Sequence, residues 1–186
     1  MAIEQRRMTR EEFLALPEEK PALELAPDGT VTQKVAPKRR HSRLQLAIGL
    51  FVERAARGEA FAFSELTVDF GDAVYVPDVA VYRKNRIPLT QEGEIAEGTM
   101  TEPPDIAVEI ASPGQSRRWL VRKCAWYVEH GVALALLIDP EQKSVLVFGP
   151  GTSTATRQGT EIIDLSAVVP DLIVSCDQLF SALRLS

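Results

Sequence analysis

The pattern of apolar and polar positions changes its period several times along the chain. Apolar residues recur at steps of three and four over residues 38–57, which predicts a long helix. A second long helix is predicted over residues 116–130, with Gly131 as its C-cap. The capping-box sequence Thr9-Arg10-Glu11-Glu12 and the N-cap residue Ser175 each predict a shorter helix.

Between the predicted helices the pattern alternates with a period of two or becomes continuously apolar, which predicts strands. The predicted strands cover residues 22–26, 30–35, 61–70, 74–82, 105–111, 132–138 and 144–148. The turn sequence Pro27-Asp28-Gly29 joins the first two strands into a predicted hairpin. Residues 84–104 and 149–160 are rich in polar residues, glycine or proline, and predict loops. This succession predicts a single mixed α/β domain over residues 1–186, in which helices flank a mixed central sheet.

Two of the predicted strands contain an irregularity. The alternation slips at Ser64-Glu65, which indicates a local break in strand pairing. Pro77 lies inside the strand predicted over residues 74–82. Proline donates no backbone hydrogen bond, so it is tolerated only at an edge, a bulge or a strand start. We therefore expect Asp78 to lie where the strand pairing is disturbed.

Composition places the chain among ordinary globular proteins. Hydrophobic residues make up 45% and charged residues 25%, and no apolar run approaches the ~20 residues of a membrane span. The first residues lack an apolar signal core, so we expect a cytoplasmic protein. Cys124 and Cys176 are far apart, which favours reduced thiols, and no pair of cysteines or histidines has zinc-ligand spacing. The net charge of −5 argues against general nucleic-acid binding and leaves room for local basic patches.

Two carboxylates stand inside runs of strand-forming apolar residues. Asp78 lies in Val76-Pro77-Asp78-Val79-Ala80-Val81, and Glu109 lies in Asp105-Ile106-Ala107-Val108-Glu109-Ile110. Strand interiors are poor in acids, and burial of an unpaired carboxylate is costly. Each acid could lie on a solvated face or pair with a nearby basic residue. The presence of two such acids favours a shared site, where rigid strands hold a hard divalent cation such as Mg²⁺.

Basic residues near the two predicted long helices are further candidates. Lys123 lies beside an apolar helix face, so its ammonium either stays in water above a packed stem or points at the carboxylates; the spacing leaves both open. Lys38-Arg39-Arg40-His41 opens the first long helix, and Arg117-Arg118 lies at the start of the second. Cations at a helix N-terminus oppose its dipole, which often marks a place where an anion binds. Plain solvation of these long side chains is the alternative, and phosphate contact is favoured over it.

The order of these motifs resembles the PD-(D/E)XK nuclease superfamily, in which a Pro-Asp motif and a strand with an acid precede a lysine. The closer match is its Uma-type subgroup, restriction-endonuclease-like proteins long known as a domain of unknown function. The resemblance covers about Met8 to Phe148 and rests on the order and spacing of several short motifs. In this chain the matching segments are Glu24-Leu25, Asp28-Gly29, His41, Pro77-Asp78, Val108 to Pro113, Lys123, Tyr127, Gly131-Val132 and Asp139-Pro140.

The resemblance implies a restriction-endonuclease-like core and metal-dependent hydrolysis of phosphodiester bonds, with DNA as the expected substrate. It implies that Asp78 and Glu109 bind Mg²⁺ or Mn²⁺, and that Lys123 orients the attacking water or stabilises the transition state. Glu24 is a further acid expected near the metal, as carried over from the family. The candidates for phosphate contact are Arg39, Arg40 and His41. A homodimer is expected by analogy.

Two departures from the family pattern bear on the site. Ala111 stands where the superfamily has its strand lysine, which the subgroup moves to the helix position of Lys123. Trp119 stands where members often carry an acid. The alternatives are a non-catalytic nucleic-acid-binding or assembly module with the same fold, and a structural protein whose carboxylates pair with Arg117 or Arg118.

Overall fold

The helices and strands largely follow the predicted order, in a computed structural model that describes residues 7–151 and 154–185. Within those residues the helices are α1 (Arg10–Leu14), α2 (Arg39–Ala56), α3 (Arg117–Glu129) and α4 (Cys176–Ser181), with a short 3₁₀-helix at Lys84–Arg86. The strands are β1 (Leu23–Leu25), β2 (Val31–Gln33), β3 (Ala60–Ser64), β4 (Val68–Asp69), β5 (Val74–Tyr75), β6 (Val79–Arg83), β7 (Ile106–Ile110), β8 (Leu134–Asp139), β9 (Ser144–Phe148), β10 (Ala155–Gln158), β11 (Ile162–Asp164) and β12 (Ile173–Ser175). Residues 1–6, which bear on the expected lack of a signal core, and residues 152–153 of the predicted second loop lie outside this description.

A mixed six-stranded sheet forms the centre of the molecule. Its strand order is β10-β9-β8-β7-β6-β3. Strands β7 and β8 are parallel, and α3 makes the crossover that parallel neighbours require. The other neighbouring pairs are antiparallel. The mixed α/β fold predicted from the sequence is confirmed.

Helices cover both faces of this sheet. On one face α2 buries Leu44, Ile48 and Val52 in a core that also receives side chains from α4. On the opposite face α3 buries Leu120 and Cys124. Among the described residues no helix combines the length and apolar character needed to cross a membrane.

A smaller antiparallel sheet, with strand order β2-β1-β5-β4, carries the predicted hairpin. Gly29 closes the hairpin with a φ of +82°, and a Cβ atom at this position would lie 3.0 Å from the backbone oxygen of Met8. Glycine is therefore favoured here both by backbone conformation and by space. The small sheet brings Glu24 of β1 close to the segment between β5 and β6, which contains Asp78.

Three expectations about the strands are corrected. The strand predicted over residues 61–70 is divided between the two sheets as β3 and β4, with Glu65 at a φ of +53° between them. The strand predicted over residues 74–82 is likewise divided into β5 and β6, because Pro77 cannot donate to a ladder. The loop predicted over residues 149–160 contains β10, which pairs with β9. Strands β11 and β12, of three residues each, were not predicted from the sequence.

Candidate active site

Asp78 lies at the point where the chain passes from the small sheet to the large one. Its side chain is buried, and Oδ2 accepts a hydrogen bond of 2.6 Å from the backbone N–H of Ile110. Its other oxygen, Oδ1, accepts a bond of 2.6 Å from the Nζ of Lys34. The break at Pro77 thus aims a carboxylate at the end of β7 instead of into a strand face.

Glu109 lies on β7 and faces α3, because side chains alternate along a strand. Its Oε1 lies 2.8 Å from the Nζ of Lys123 and accepts a hydrogen bond of 2.8 Å from the Tyr127 hydroxyl. Both partners come from α3, one helical turn apart. The parallel β7-α3-β8 unit therefore fixes this carboxylate and its ammonium partner together.

Glu24 completes the group from the small sheet. Its Oε1 accepts a hydrogen bond of 2.7 Å from the Nζ of Lys123 and one of 2.9 Å from the backbone N–H of Val76. Lys123 thus bridges two carboxylates from different sheets. The structure brings together the four residues for which the resemblance implied a catalytic role: Glu24, Asp78, Glu109 and Lys123.

The surroundings of Lys123 decide between its two interpretations. The residue is 4% exposed, and its Nζ lies 5.0 Å from the ring centroid of Tyr75 and 5.1 Å from that of Trp119. Aromatic faces attract an ammonium. Trp119 therefore contributes to holding the ammonium of Lys123, at the position where family members often carry an acid. Of the two interpretations that the sequence left open, the one that keeps the Lys123 ammonium in water is therefore wrong.

Lys34 of the segment after β2 is a member of the site that sequence reasoning missed. Its Nζ donates to Asp78 Oδ1 and, at 2.6 Å, to the backbone oxygen of Val76. The side chain is 9% exposed. The residue follows Thr32-Gln33 in a polar edge strand, where a lysine is unremarkable, and no motif in the sequence distinguishes it. Only the folded hairpin places it beside Asp78.

Burial and neighbouring charges act in opposite directions on the pKa values of these groups. Burial favours the neutral form of Asp78, but His41 and Lys34 outweigh it and lower the pKa of Asp78 to about 2. Burial and the Asp78 charge raise the pKa of Glu109, against the opposing effect of Lys123. Burial lowers the pKa of Lys123, but Glu109 and Glu24 outweigh it and raise that pKa above its ordinary value. Lys123 is therefore an ammonium at neutral pH.

His41 is buried beside Asp78 at the start of α2. Its Nδ1 lies 3.1 Å from the hydroxyl oxygen of Ser112, and its Nε2 lies 3.3 Å from Asp78 Oδ1. Ligand atoms of His41, Asp78 and Glu65 all lie within 4.8 Å of one another. His41 thus faces the acids, whereas the sequence predicted it as a phosphate contact together with Arg39 and Arg40.

Two clefts lead to this group of side chains. One, of about 720 Å³, is lined by the basic start of α2, including Arg39 and Arg40, and by the turn that follows β7. Both arginines are exposed, and neither has an ion-pair partner among residues 7–151 and 154–185. The other cleft, of about 240 Å³, reaches Glu24, Glu109 and Lys123. The buried carboxylates therefore lie next to a basic surface.

The structural alternative, in which the carboxylates pair with arginines of α3, does not describe the site. Arg117 contacts Asp139 at 3.3 Å. Asp78 and Glu109 pair instead with Lys34 and Lys123. These carboxylates lie at the meeting point of two sheets and two helices, and not on the outer surface of the start of α3.

The mixed sheet with helices on both faces is the fold of restriction-endonuclease-like proteins. Residues 10–181 match the sequence model of the Uma2 family, which is described as "Putative restriction endonuclease". The chain belongs to this family. It is also similar to a crystal structure of a putative nuclease belonging to DUF820 from Anabaena variabilis, with 33% sequence identity and a TM-score of 0.89 over 95% of this chain and 99% of that chain. No curated protein matches the sequence.

Proposed function

We propose that this protein is a divalent-metal-dependent nuclease that hydrolyses phosphodiester bonds of DNA. The observation that carries the proposal is the convergence of Glu24, Asp78, Glu109 and Lys123 from four separate segments of the chain. Burying three carboxylates is costly for a fold, and a binding or structural role for the protein does not require it. Membership in the Uma2 family supports the same activity.

The donor set fits a hard divalent cation. Asp78 and Glu109 supply carboxylate oxygens, the ligands that Mg²⁺ and Mn²⁺ prefer. Three acids face two ammonium groups, those of Lys34 and Lys123, so the group carries more acids than bases. Asp78 and Glu109 would hold the cation, which when bound lowers the pKa of a water and neutralises charge that develops on the phosphate.

Lys123 would act on the reacting phosphate or on the attacking water. Two of its three N–H donors are directed at Glu24 and Glu109. The carboxylates and the aromatic rings around it hold the ammonium in place before substrate arrives. A donor fixed in this way stabilises developing negative charge without reorganisation. Glu24 would position Lys123 and add negative charge near the cation.

Arg39 and Arg40 would contact the DNA backbone at the mouth of the larger cleft. Their exposure leaves both guanidinium groups able to reach phosphates, whereas buried His41 lines the inner wall of the same cleft. Such contacts position a duplex without reading its sequence. A homodimer and a cytoplasmic location stay predictions from the sequence and its resemblance.

A calorimetric titration separates the enzyme from a non-catalytic binding module. Mg²⁺ or Mn²⁺ is titrated into the metal-free protein, with and without a short DNA duplex. The proposal predicts Mg²⁺ binding that Glu109→Gln abolishes and that Glu97→Gln, at an exposed loop acid, leaves unchanged. Duplex binding without any metal binding would instead identify a non-catalytic module that kept the fold.

A further inference from the structure

The side of Asp78 that faces α2 has its own set of ligand atoms. His41 Nε2, a carboxylate oxygen of Glu65 and one of Asp78 lie within 4.8 Å of one another. Glu65 comes from the break between β3 and β4, and its backbone N–H donates a hydrogen bond of 3.3 Å to the backbone oxygen of Asp78. These three ligands therefore come from three elements that meet only in the folded chain.

One nitrogen of the His41 imidazole, Nε2, is buried without a hydrogen-bond partner among the described residues. The residue is 6% exposed. A buried nitrogen without a partner is costly, because it has lost its water. Asp78 Oδ1, which accepts from Lys34, lies 3.3 Å from Nε2 but outside hydrogen-bond geometry.

The distance between these two atoms suits ligands of one cation. A divalent transition metal binds imidazole nitrogen and carboxylate oxygen at about 2.0–2.2 Å. Two adjacent ligands at those lengths are roughly 3 Å apart when the angle at the metal is near 90°, close to the 3.3 Å that separates Nε2 and Oδ1. With a proton on Nδ1, which then donates to Ser112 Oγ, Nε2 carries a lone pair that a cation can accept. Ligating histidines commonly donate their other N–H to such an oxygen.

We propose that His41, Glu65 and Asp78 form a second divalent-cation site, beside the one formed by Asp78 and Glu109. The inference rests on the proposed function, because Asp78 serves both positions. An imidazole ligand favours a cation that accepts nitrogen, so this site takes Mn²⁺ or Zn²⁺ in preference to Mg²⁺. Two cations on one bridging carboxylate are the arrangement used by many phosphodiester-cleaving enzymes. His41 is then a metal ligand instead of a phosphate contact.

The chain offers a direct spectroscopic test, since it contains only two histidines, His41 and His130. A ¹⁵N spectrum of the imidazole rings is recorded while Zn²⁺ is titrated into the full-length metal-free protein. Direct ligation shifts the Nε2 resonance of His41 by far more than that of any other ring nitrogen. His130, whose Nδ1 contacts the backbone oxygen of Trp126 at 2.8 Å, serves as the internal control.

Variants assign the remaining ligands. Glu65 is exposed, so Glu65→Gln should fold as the wild type does, and we expect it to weaken the Zn²⁺ affinity reported by His41 at least tenfold. Glu97→Gln, the exposed control, should leave that affinity unchanged. An His41 ring that is doubly protonated at neutral pH and unaffected by Zn²⁺ would overturn the proposal and leave a simple ion pair with Asp78.

A parallel Mg²⁺ titration keeps the two proposals distinguishable. If Glu109→Gln abolishes Mg²⁺ binding while the Nε2 resonance of His41 does not change with Zn²⁺, the nuclease proposal stands and the second site is wrong. If His41 responds to Zn²⁺ but Glu109→Gln leaves Mg²⁺ binding intact, the second site stands and the assignment of Glu109 fails.

Discussion

Lys34 and Lys123 act as resident cations for the buried acids of the site. Lys34 Nζ contacts Asp78, and Lys123 Nζ contacts both Glu24 and Glu109. A buried carboxylate loses several kcal/mol of hydration, which a neighbouring ammonium partly restores. The two lysines therefore offset part of the cost of burying these acids in the absence of a metal ion, at positions where a divalent cation would compete with them.

Lys123→Met is expected to lower the cleavage rate ~10²-fold or more, comparable to the loss of one fixed transition-state donor. The metal-free variant should also lose stability, by about 3–5 kcal/mol, because Glu24 and Glu109 lose their buried partner. Thermal unfolding and single-turnover cleavage measure the two effects. Lys143→Met, at an exposed turn, is the matched control and should change neither quantity. A Lys123→Met enzyme with the wild-type rate would contradict the catalytic role.

Lys34→Met is expected to lower the stability of the metal-free protein and to raise its affinity for Mg²⁺. Removing the ammonium leaves Asp78 Oδ1 without its partner, so the melting temperature should fall when no metal is present. The same change removes a competitor for the metal position, so Mg²⁺ should bind more tightly and raise the melting temperature by more than in the wild type. Equal Mg²⁺-induced shifts in both proteins would show that Lys34 does not compete with the cation.

Among single residues, those with an unusual setting could be predicted from the sequence. Asp78 and Glu109 were identifiable because acids are rare in apolar strands. Lys123 was a candidate because it lies beside an apolar helix face, although the spacing left the direction of its ammonium open. Lys34 and Glu65 lie in polar segments where charged residues are common, so nothing marks them before folding. The resemblance supplied Glu24, whose position in a hairpin carries no chemical signal of its own.

At the scale of elements, the break at Pro77 is the feature that builds the site. A continuous strand would have placed Asp78 in the ladder, with its side chain on one face of the sheet. The break lets β5 join the small sheet and β6 the large one, so Asp78 lies at their junction. The sequence indicated a disturbance at this proline, but local pattern could not predict that the two halves join different sheets, since strand partners are distant in the chain.

The ion pair between Arg10 and Asp69 ties α1 to β4 and provides a pH-dependent test of that contact. The Arg10 hydrogen bonds hold the pKa of Asp69 below its ordinary value, against the opposing effect of burial. A lowered folded pKa gives stability that is complete above the unfolded value of about 3.9 and is lost as the pH falls through the folded one. We expect Asp69→Asn to lower the melting temperature at neutral pH, by an amount that shrinks below about pH 4.

Thermal unfolding across a pH series measures this dependence. Arg10→Met should lower the melting temperature with the same dependence on pH, because it removes the same ion pair. The double variant should lower the melting temperature little further than either single variant. A difference in melting temperature between Asp69→Asn and wild type that stays constant down to the lowest pH would show that the lost stability comes from packing and not from the charge.

At the scale of the whole molecule, the protein has a net negative charge, but basic residues at the start of α2 line its larger cleft. The chain carries a net charge of −5, yet the start of α2 has no acidic residue in its first turn. Long-range repulsion from the rest of the surface would disfavour loose binding of DNA elsewhere. Binding at the α2 edge should therefore depend strongly on the few basic residues that line it.

Arg39→Ala and Arg40→Ala are each expected to weaken DNA binding whatever the sequence of the duplex. Each should reduce the slope of log affinity against log salt by about one, the effect of losing one phosphate contact. Fluorescence anisotropy over a salt series measures that slope. Arg54→Ala, near the other end of the same helix, changes the charge equally and is the control. Unchanged slopes in the first two variants would remove this edge from the DNA interface.

Metal-dependent DNA cleavage by the wild-type protein and by Asp78→Asn tests the central claim most directly. Supercoiled, nicked, branched and single-stranded DNA are incubated with each protein at saturating Mg²⁺ or Mn²⁺, with a chelator as the blank. Wild type should cleave at least one substrate only when metal is present, while folded Asp78→Asn should cleave none. Wild-type cleavage by Asp78→Asn at saturating metal, or cleavage by the wild type that survives the chelator, would contradict a metal-dependent nuclease built on this carboxylate.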